Sequence, residues 1–196
     1  PLITSSYVIY PIGQTTAKTN DEIRVVSKVI DTKMTVDTVL VIDTSGSIQG
    51  TPFSNAKTAC KTFIGMMGDK DRAAIYSFNG ANDKPKLERD FTSDKSALNT
   101  TIDGLVADDW TPLYDAVYDA IMKAKTSPNM PVVIVLTDGN DVTGSGSSVR
   151  KLSECKNASI PVYTIGLDPG SGYDPLNETV LKEIAYSSDG GSYYHA

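Results

Sequence analysis

Five side chains in this sequence share one chemistry. Asp43, Ser45 and Ser47 lie in the stretch Asp43-Thr44-Ser45-Gly46-Ser47. Thr111 opens Thr111-Pro112-Leu113, and Asp138 lies in Thr137-Asp138-Gly139-Asn140-Asp141. All five offer oxygen and nothing softer. Two carboxylates with three hydroxyls suit a hard divalent cation, Mg²⁺ or Ca²⁺, and give zinc or copper no thiolate or imidazole. Gly46, between the two serines, permits the tight turn that brings both hydroxyls to one place. Separate polar caps are the plainer alternative: Ser47 capping the helix that follows, Asp138 opening an Asx turn. That alternative leaves the recurrence of oxygen ligands in three loops without an account.

The elements around these loops decide whether they can meet. Val36 to Asp43 is a short apolar run rich in β-branched residues, the pattern of a central strand buried on both faces. From Pro52 to about Met67 the apolar residues Phe53, Ala56, Ala59, Cys60, Phe63 and Met67 recur at helical spacing. Ala73 to Phe78 reads as a strand, Leu87 to Phe91 as a short edge strand, and Ser93 to Ser96 as the start of a helix. Thr111-Pro112 begins another helix, since proline suits a first turn. Pro131 to Thr137 is the strongest strand, followed by a helix over Val149 to Lys156 and a strand over Ile160 to Leu167. A helix over Thr179 to Tyr186 and a short strand over Ser192 to Tyr194 close the chain.

This alternation predicts an α/β fold: a doubly wound, mostly parallel sheet flanked by helices. Ligands of such sheets bind outside the carboxyl ends of the strands, where the strand order reverses. If the Val36 and Pro131 strands are neighbours, Asp43 and Asp138 emerge side by side. Residues 1–35 break the alternation and read as an N-terminal β extension or hairpin, leaving 36–196 as the α/β domain.

Here the chain resembles the von Willebrand factor type A (vWA) family. Asp43-x-Ser45-x-Ser47 is similar to its DxSxS motif, Thr111 to its second-loop threonine and Asp138 to its third-loop aspartate. The likeness runs over roughly 36–196 and includes Tyr163-Thr164-Ile165-Gly166 and the ending Gly191-Ser192-Tyr193-Tyr194. The resemblance implies an intact metal-ion-dependent adhesion site. Ser45, Ser47 and Thr111 would ligate the ion directly, and Asp43 and Asp138 directly or through water. Mg²⁺ is the expected ion, with Ca²⁺ or Mn²⁺ as alternatives. An open coordination position would then take an acidic side chain from a protein partner. One departure stands out: the family often has glycine before the second-loop threonine, and this chain has Asp108, Asp109 and Trp110. The two carboxylates form an acidic rim or a second cation site, the rim being the favoured reading. Their charge opposes simple capture of an acidic group.

Composition narrows the partner. The 196-residue chain carries a net charge of −6, which argues against a nucleic-acid backbone. No stretch is long and apolar enough to span a bilayer, so no direct membrane insertion is expected of this segment. Three sequons begin at Asn99, Asn157 and Asn177. Together with a start at Pro1, they point to a piece of a longer secreted or cell-surface protein. Cys60 and Cys155 each fall in a predicted helix and read as small core residues, with a bridge between them left open. No nucleophile–base pair or phosphate loop is present, and His195 is expected to be inert, so no enzyme is expected. The expected function is a metal-dependent protein-binding module for adhesion or assembly. The alternatives are a vWA part of an intracellular ATPase or chelatase-type machine and a metal-free structural scaffold.

Overall fold

A computed structural model describes residues 35–79, 84–108, 111–141 and 150–196. The β extension read at 1–35 lies outside the described residues apart from Thr35, as do Asp109 and Trp110.

The apolar run forms strand β1, Val36–Asp43, buried from Asp37 onward. A 3-10 turn, Gly46–Ile48, leads into helix α1, Thr51–Met66, with Gly50 at φ 87° as its N-cap and a proline in its first turn. Strands β2, Arg72–Phe78, and β3, Lys86–Thr92, follow. Helix α2, Lys95–Asp103, is capped by Asp94, whose side chain accepts from the Ala97 N–H. Helix α3 spans Leu113–Ala124 and strand β4 spans Met130–Thr137. The helix expected over Val149 to Lys156 has one described turn, α4, Leu152–Cys155. Strand β5, Val162–Gly166, helix α5, Glu178–Tyr186, and strand β6, Tyr193–His195, complete the chain.

The six strands make one sheet in the order β3-β2-β1-β4-β5-β6. Only the edge strand β3 is antiparallel. The chain moves one way from β1 to β2 and the other way to β4, so the order reverses between β1 and β4. The two are direct parallel neighbours, with Ile42 opposite Leu136. Their carboxyl ends therefore deliver Asp43 and Asp138 to the same edge.

Alternation along the strands divides the core into two layers. Val39 and Val41 pack with Val133, Val135, Leu113, Val117, Ile121 and Ile184, beneath α3 and α5. Leu40 and Ile42 face the other way onto Phe53, Ala56, Ile64, Leu98 and Ile102 of α1 and α2. Each Val, Leu, Ile or Phe among them, fully buried, contributes about 1.5–3 kcal/mol. Cys60 lies in the second layer and Cys155 in the first, so the sheet stands between them. Both are free and buried, which answers the question of a bridge.

The opposite end of β1 is closed by Asp37, which is fully buried. Its carboxylate accepts from the Arg72 Nε–H at 2.9 Å and pairs with the second guanidinium nitrogen. Ser127 Oγ at 2.5 Å and Asn129 Nδ2 at 3.1 Å also donate to it. Burial opposes ionisation, and these four donors outweigh it, so the carboxyl sits below its usual range.

Candidate functional site

Asp43 ends β1 with no exposed surface. Its Oδ1 accepts from the Ser45 N–H at 2.8 Å, which folds the chain back after the strand. Its Oδ2 accepts from Thr137 Oγ1 at 2.6 Å, across to the last residue of β4. Ser45 is 1% exposed. Its Oγ lies 3.0 Å from Ser47 Oγ, which the 3-10 turn presents from the same side.

Asp138 follows β4 and is 1% exposed. Its Oδ1 accepts from the Asn140 N–H at 2.9 Å, the Asx turn of the plainer alternative. Its Oδ2 is buried and has no hydrogen-bond partner. Ser47 does not cap α1, since Gly50 holds that position. The capping alternative thus holds in part for Asp138 and fails for Ser47. Thr111 is 2% exposed, directly before Pro112, the N-cap residue of α3.

Hydrogen bonds tie the loops together. The Asp108 N–H donates to Thr44 O at 2.8 Å, joining the second loop to the first. The Tyr114 N–H donates to Asp141 Oδ1 at 3.3 Å, joining the start of α3 to the third loop. The loop after β5 closes the far side: the Gly170 N–H donates to Ser47 O and the Asn177 N–H to Asp138 O, each at 2.8 Å. All five predicted residues lie on these linked loops. Asp108 is exposed.

The electrostatics are unfavourable for two bare carboxylates. Burial raises the Asp43 carboxyl above its ordinary range, and the neighbouring Asp138 charge adds to it. The bonds from Ser45 and Thr137 work the other way. Asp138 is also raised, first by burial, with the Ser47 hydroxyl and the Asn140 groups opposing. Two buried acids that repel each other, one with an oxygen that has no hydrogen-bond partner, leave negative charge that a bound cation would offset. Among the described residues no group of three or more His, Cys, Asp or Glu side chains could hold a metal. A cation here would therefore rely on the hydroxyls of Ser45, Ser47 and Thr111 beside the two aspartates. That donor set fits Mg²⁺ or Ca²⁺.

Three supporting residues received no role from the sequence reading. Thr137 stood only as a neighbour of Asp138, although a hydroxyl beside a strand-end aspartate is a signal for such a bond. Asn140 donates its N–H to Asp138 and its Nδ2–H to Pro175 O at 3.1 Å. Asn177, noted as a sequon, is the N-cap of α5, its Oδ1 accepting from the Val180 N–H at 3.3 Å.

The family model described as von Willebrand factor type A domain matches residues 37–196. The chain belongs to the vWA domain family. Among curated proteins, this vWA domain is 26% identical over 167 residues to an uncharacterised protein of Synechocystis sp., covering 84% of the chain. It spans only 38% of that relative's length. Among solved structures, it is similar to an aerotolerance-related membrane protein of Bacteroides fragilis. That likeness has a TM-score of 0.65 and 19% identity, over 82% of this chain and 91% of the other. It is also similar to the vWF domain of the type V pili tip protein Mfa5 of Porphyromonas gingivalis. There the TM-score is 0.65 and the identity 16%, over 83% and 90% of the two chains. At these identities the structural likeness shows the vWA fold: a mostly parallel six-stranded sheet with flanking helices.

Proposed function

We propose that this vWA domain is a divalent-cation-dependent protein-binding module, used in adhesion or assembly and not in catalysis. The observation that carries the reading is the buried pair of aspartates, with Asp138 Oδ2 left without a partner, beside the two serine hydroxyls 3.0 Å apart. Ser45, Ser47 and Thr111 would hold the ion directly, and Asp43 and Asp138 directly or through water. Bound there, the ion supplies an electrophilic position that an acidic side chain of a partner can complete. Neutral hydroxyls in the shell leave more of the ion's charge for that partner than carboxylates would.

Mg²⁺ is the proposed ion because it retains water and needs few carboxylates. Ca²⁺ and Mn²⁺ are the alternatives. The Mfa5 tip protein supports the adhesion side of the reading, since a vWA fold occurs there in a pilus component. We place the parent protein outside the cell or on its surface on the same ground. No helix among the described residues is long and apolar enough to cross a membrane.

Calorimetric titration of the chelator-stripped chain with MgCl₂, CaCl₂ and MnCl₂ tests the metal half. One site per chain is expected, lost when Ser45 and Ser47 are both alanine. Binding that survives the double substitution would place the ion elsewhere.

A further inference from the structure

Beside the metal-site loops lies a groove of about 420 Å³, lined in part by Thr44, Lys86, Glu88, Arg89, Thr101 and Val106. Thr44 stands between Asp43 and Ser45, and Leu105 and Val106 belong to the segment that runs on to Thr111. The groove thus borders the first site loop at Thr44, whose backbone oxygen accepts from the Asp108 N–H at the start of the second. It lies over the carboxyl end of β2 and the edge strand β3.

The chain carries a net −6, and the second loop adds the exposed Asp108 to the rim. The groove runs the other way, with two cations, Lys86 and Arg89, against one carboxylate, Glu88. Glu88 is already engaged: Oε1 accepts from Ser77 Oγ at 2.8 Å, and Oε2 pairs with Lys86 at 2.8 Å, so that pair is locally neutral and Arg89 carries the net positive charge of the lining. The Lys86 side chain remains 68% exposed. Arg89 donates its Nε–H to Thr101 Oγ1 at 3.1 Å, which anchors the guanidinium against α2. Val106, 73% exposed, is an apolar contact on the lip.

We propose that this groove seats the segment of the partner next to the carboxylate that reaches the ion, with Lys86 and Arg89 taking a second acidic group from that segment. The inference rests on the proposed function, since it supplies the partner's chemistry: an acidic, extended peptide segment. A single carboxylate on a metal gives little selectivity. A second one on an anchored arginine adds register, and the cations offset the repulsion of the acidic rim during approach. Arg89 suits this role because its planar fork binds carboxylate in a fixed geometry.

The test uses blocked Gly/Ser-rich peptides with one glutamate, or with a second glutamate two to six residues away. Binding to the full chain is followed by NMR in Mg²⁺ and in EDTA. At least one two-glutamate spacing should bind about tenfold tighter than the one-glutamate peptide at low salt, an advantage that added salt erodes. Lys86→Ala with Arg89→Ala should remove that advantage while leaving calorimetric Mg²⁺ affinity unchanged. Arg89→Lys should recover part of it. Mg²⁺-dependent binding with equal affinity for one and two glutamates overturns the groove and leaves the metal reading standing. The same holds if the advantage persists in the double variant. No Mg²⁺-dependent binding of any peptide, with Mg²⁺ itself bound, overturns the acidic-partner reading and the groove together.

Discussion

Thr137 Oγ1 donates to Asp43 Oδ2 at 2.6 Å, so the last residue of β4 fixes the carboxylate that ends β1. The bond crosses the point where the strand order reverses. It locks one oxygen of the site to the sheet rather than to a loop. Thr137 also accepts from the Gly139 N–H at 3.1 Å, and so sets the turn that carries Asp138. Thr137→Val keeps the shape and removes both bonds. It should cost about 1–3 kcal/mol in denaturant unfolding, because a buried carboxylate loses its donor. It should also weaken Mg²⁺ binding in calorimetry.

Asp138→Asn should act in opposite directions on stability and binding. Without metal, the wild-type chain holds two buried acids whose charges repel. Removing one should raise the melting temperature in EDTA and abolish the rise on adding Mg²⁺. A functional site that costs stability until it is filled has this signature. A variant less stable than wild type in EDTA would show that Asp138 is held by the fold alone.

The two aspartates of β1 should give opposite pH dependence. Asp43 is raised in the folded state. Its contribution is full at low pH and is lost as pH rises from about 4 through the folded value, in the absence of metal. Asp37 is lowered. Its contribution is present above about pH 4 and is lost as pH falls further. Stability of the chelated chain should therefore decline on both sides of a maximum in mildly acidic buffer. Asp37→Ala should reduce the acid-side slope and cost about 1–3 kcal/mol, since it leaves the part-buried donors of Arg72, Ser127 and Asn129 without their acceptor. Urea melts across the pH range read both effects.

Gly139→Ala tests the packing of the third loop. Gly139 has φ 78°, and an added Cβ would lie 2.7 Å from Asn177 O and 2.9 Å from Leu181 Cγ. Both contacts are with the start of α5: the Asn177 oxygen is backbone and yields only if the helix start moves, and the buried Leu181 side chain would have to repack. The substitution should cost about 2 kcal/mol or more from backbone strain and overlap. It should displace Asp138, whose backbone oxygen accepts from the Asn177 N–H. Loss of Mg²⁺ affinity beyond the loss of stability is the expected readout.

Much of this arrangement was legible in the chain. The run Val-Asp-Thr-Val-Leu-Val-Ile-Asp coincides with β1 to the residue, because a strand buried on both faces has no polar interruption except where one is used. The five candidate residues could be picked out because each stands near a strand end or a helix start, the places such a sheet exposes. Two things were not. The pairing of β1 with β4 joins residues 94 positions apart, as in Thr137 and Asp43, and no local pattern encodes it. The Asp37 network was silent for the same reason: its partners Arg72, Ser127 and Asn129 lie 35, 90 and 92 residues away. In sequence, Asp37 reads as a polar residue near the start of a strand. The helix expected over Val149 to Lys156 has its described turn beginning only at Leu152. Before it, the Arg150 N–H donates to Asp115 Oδ1 at 2.8 Å on α3, a tertiary bond that a helical pattern cannot show.

The most direct test is thermal unfolding of the 196-residue chain in EDTA and in Mg²⁺, Ca²⁺ or Mn²⁺, with Asp43→Ala alongside. An ion that binds only the folded chain adds about 2.7 kcal/mol at a hundredfold excess over its dissociation constant. The predicted result is a metal-dependent rise in the wild type, largest in Mg²⁺, that Asp43→Ala does not show. No rise with any of the three ions, or a rise that survives Asp43→Ala, would contradict a cation site at Asp43, Ser45, Ser47, Thr111 and Asp138.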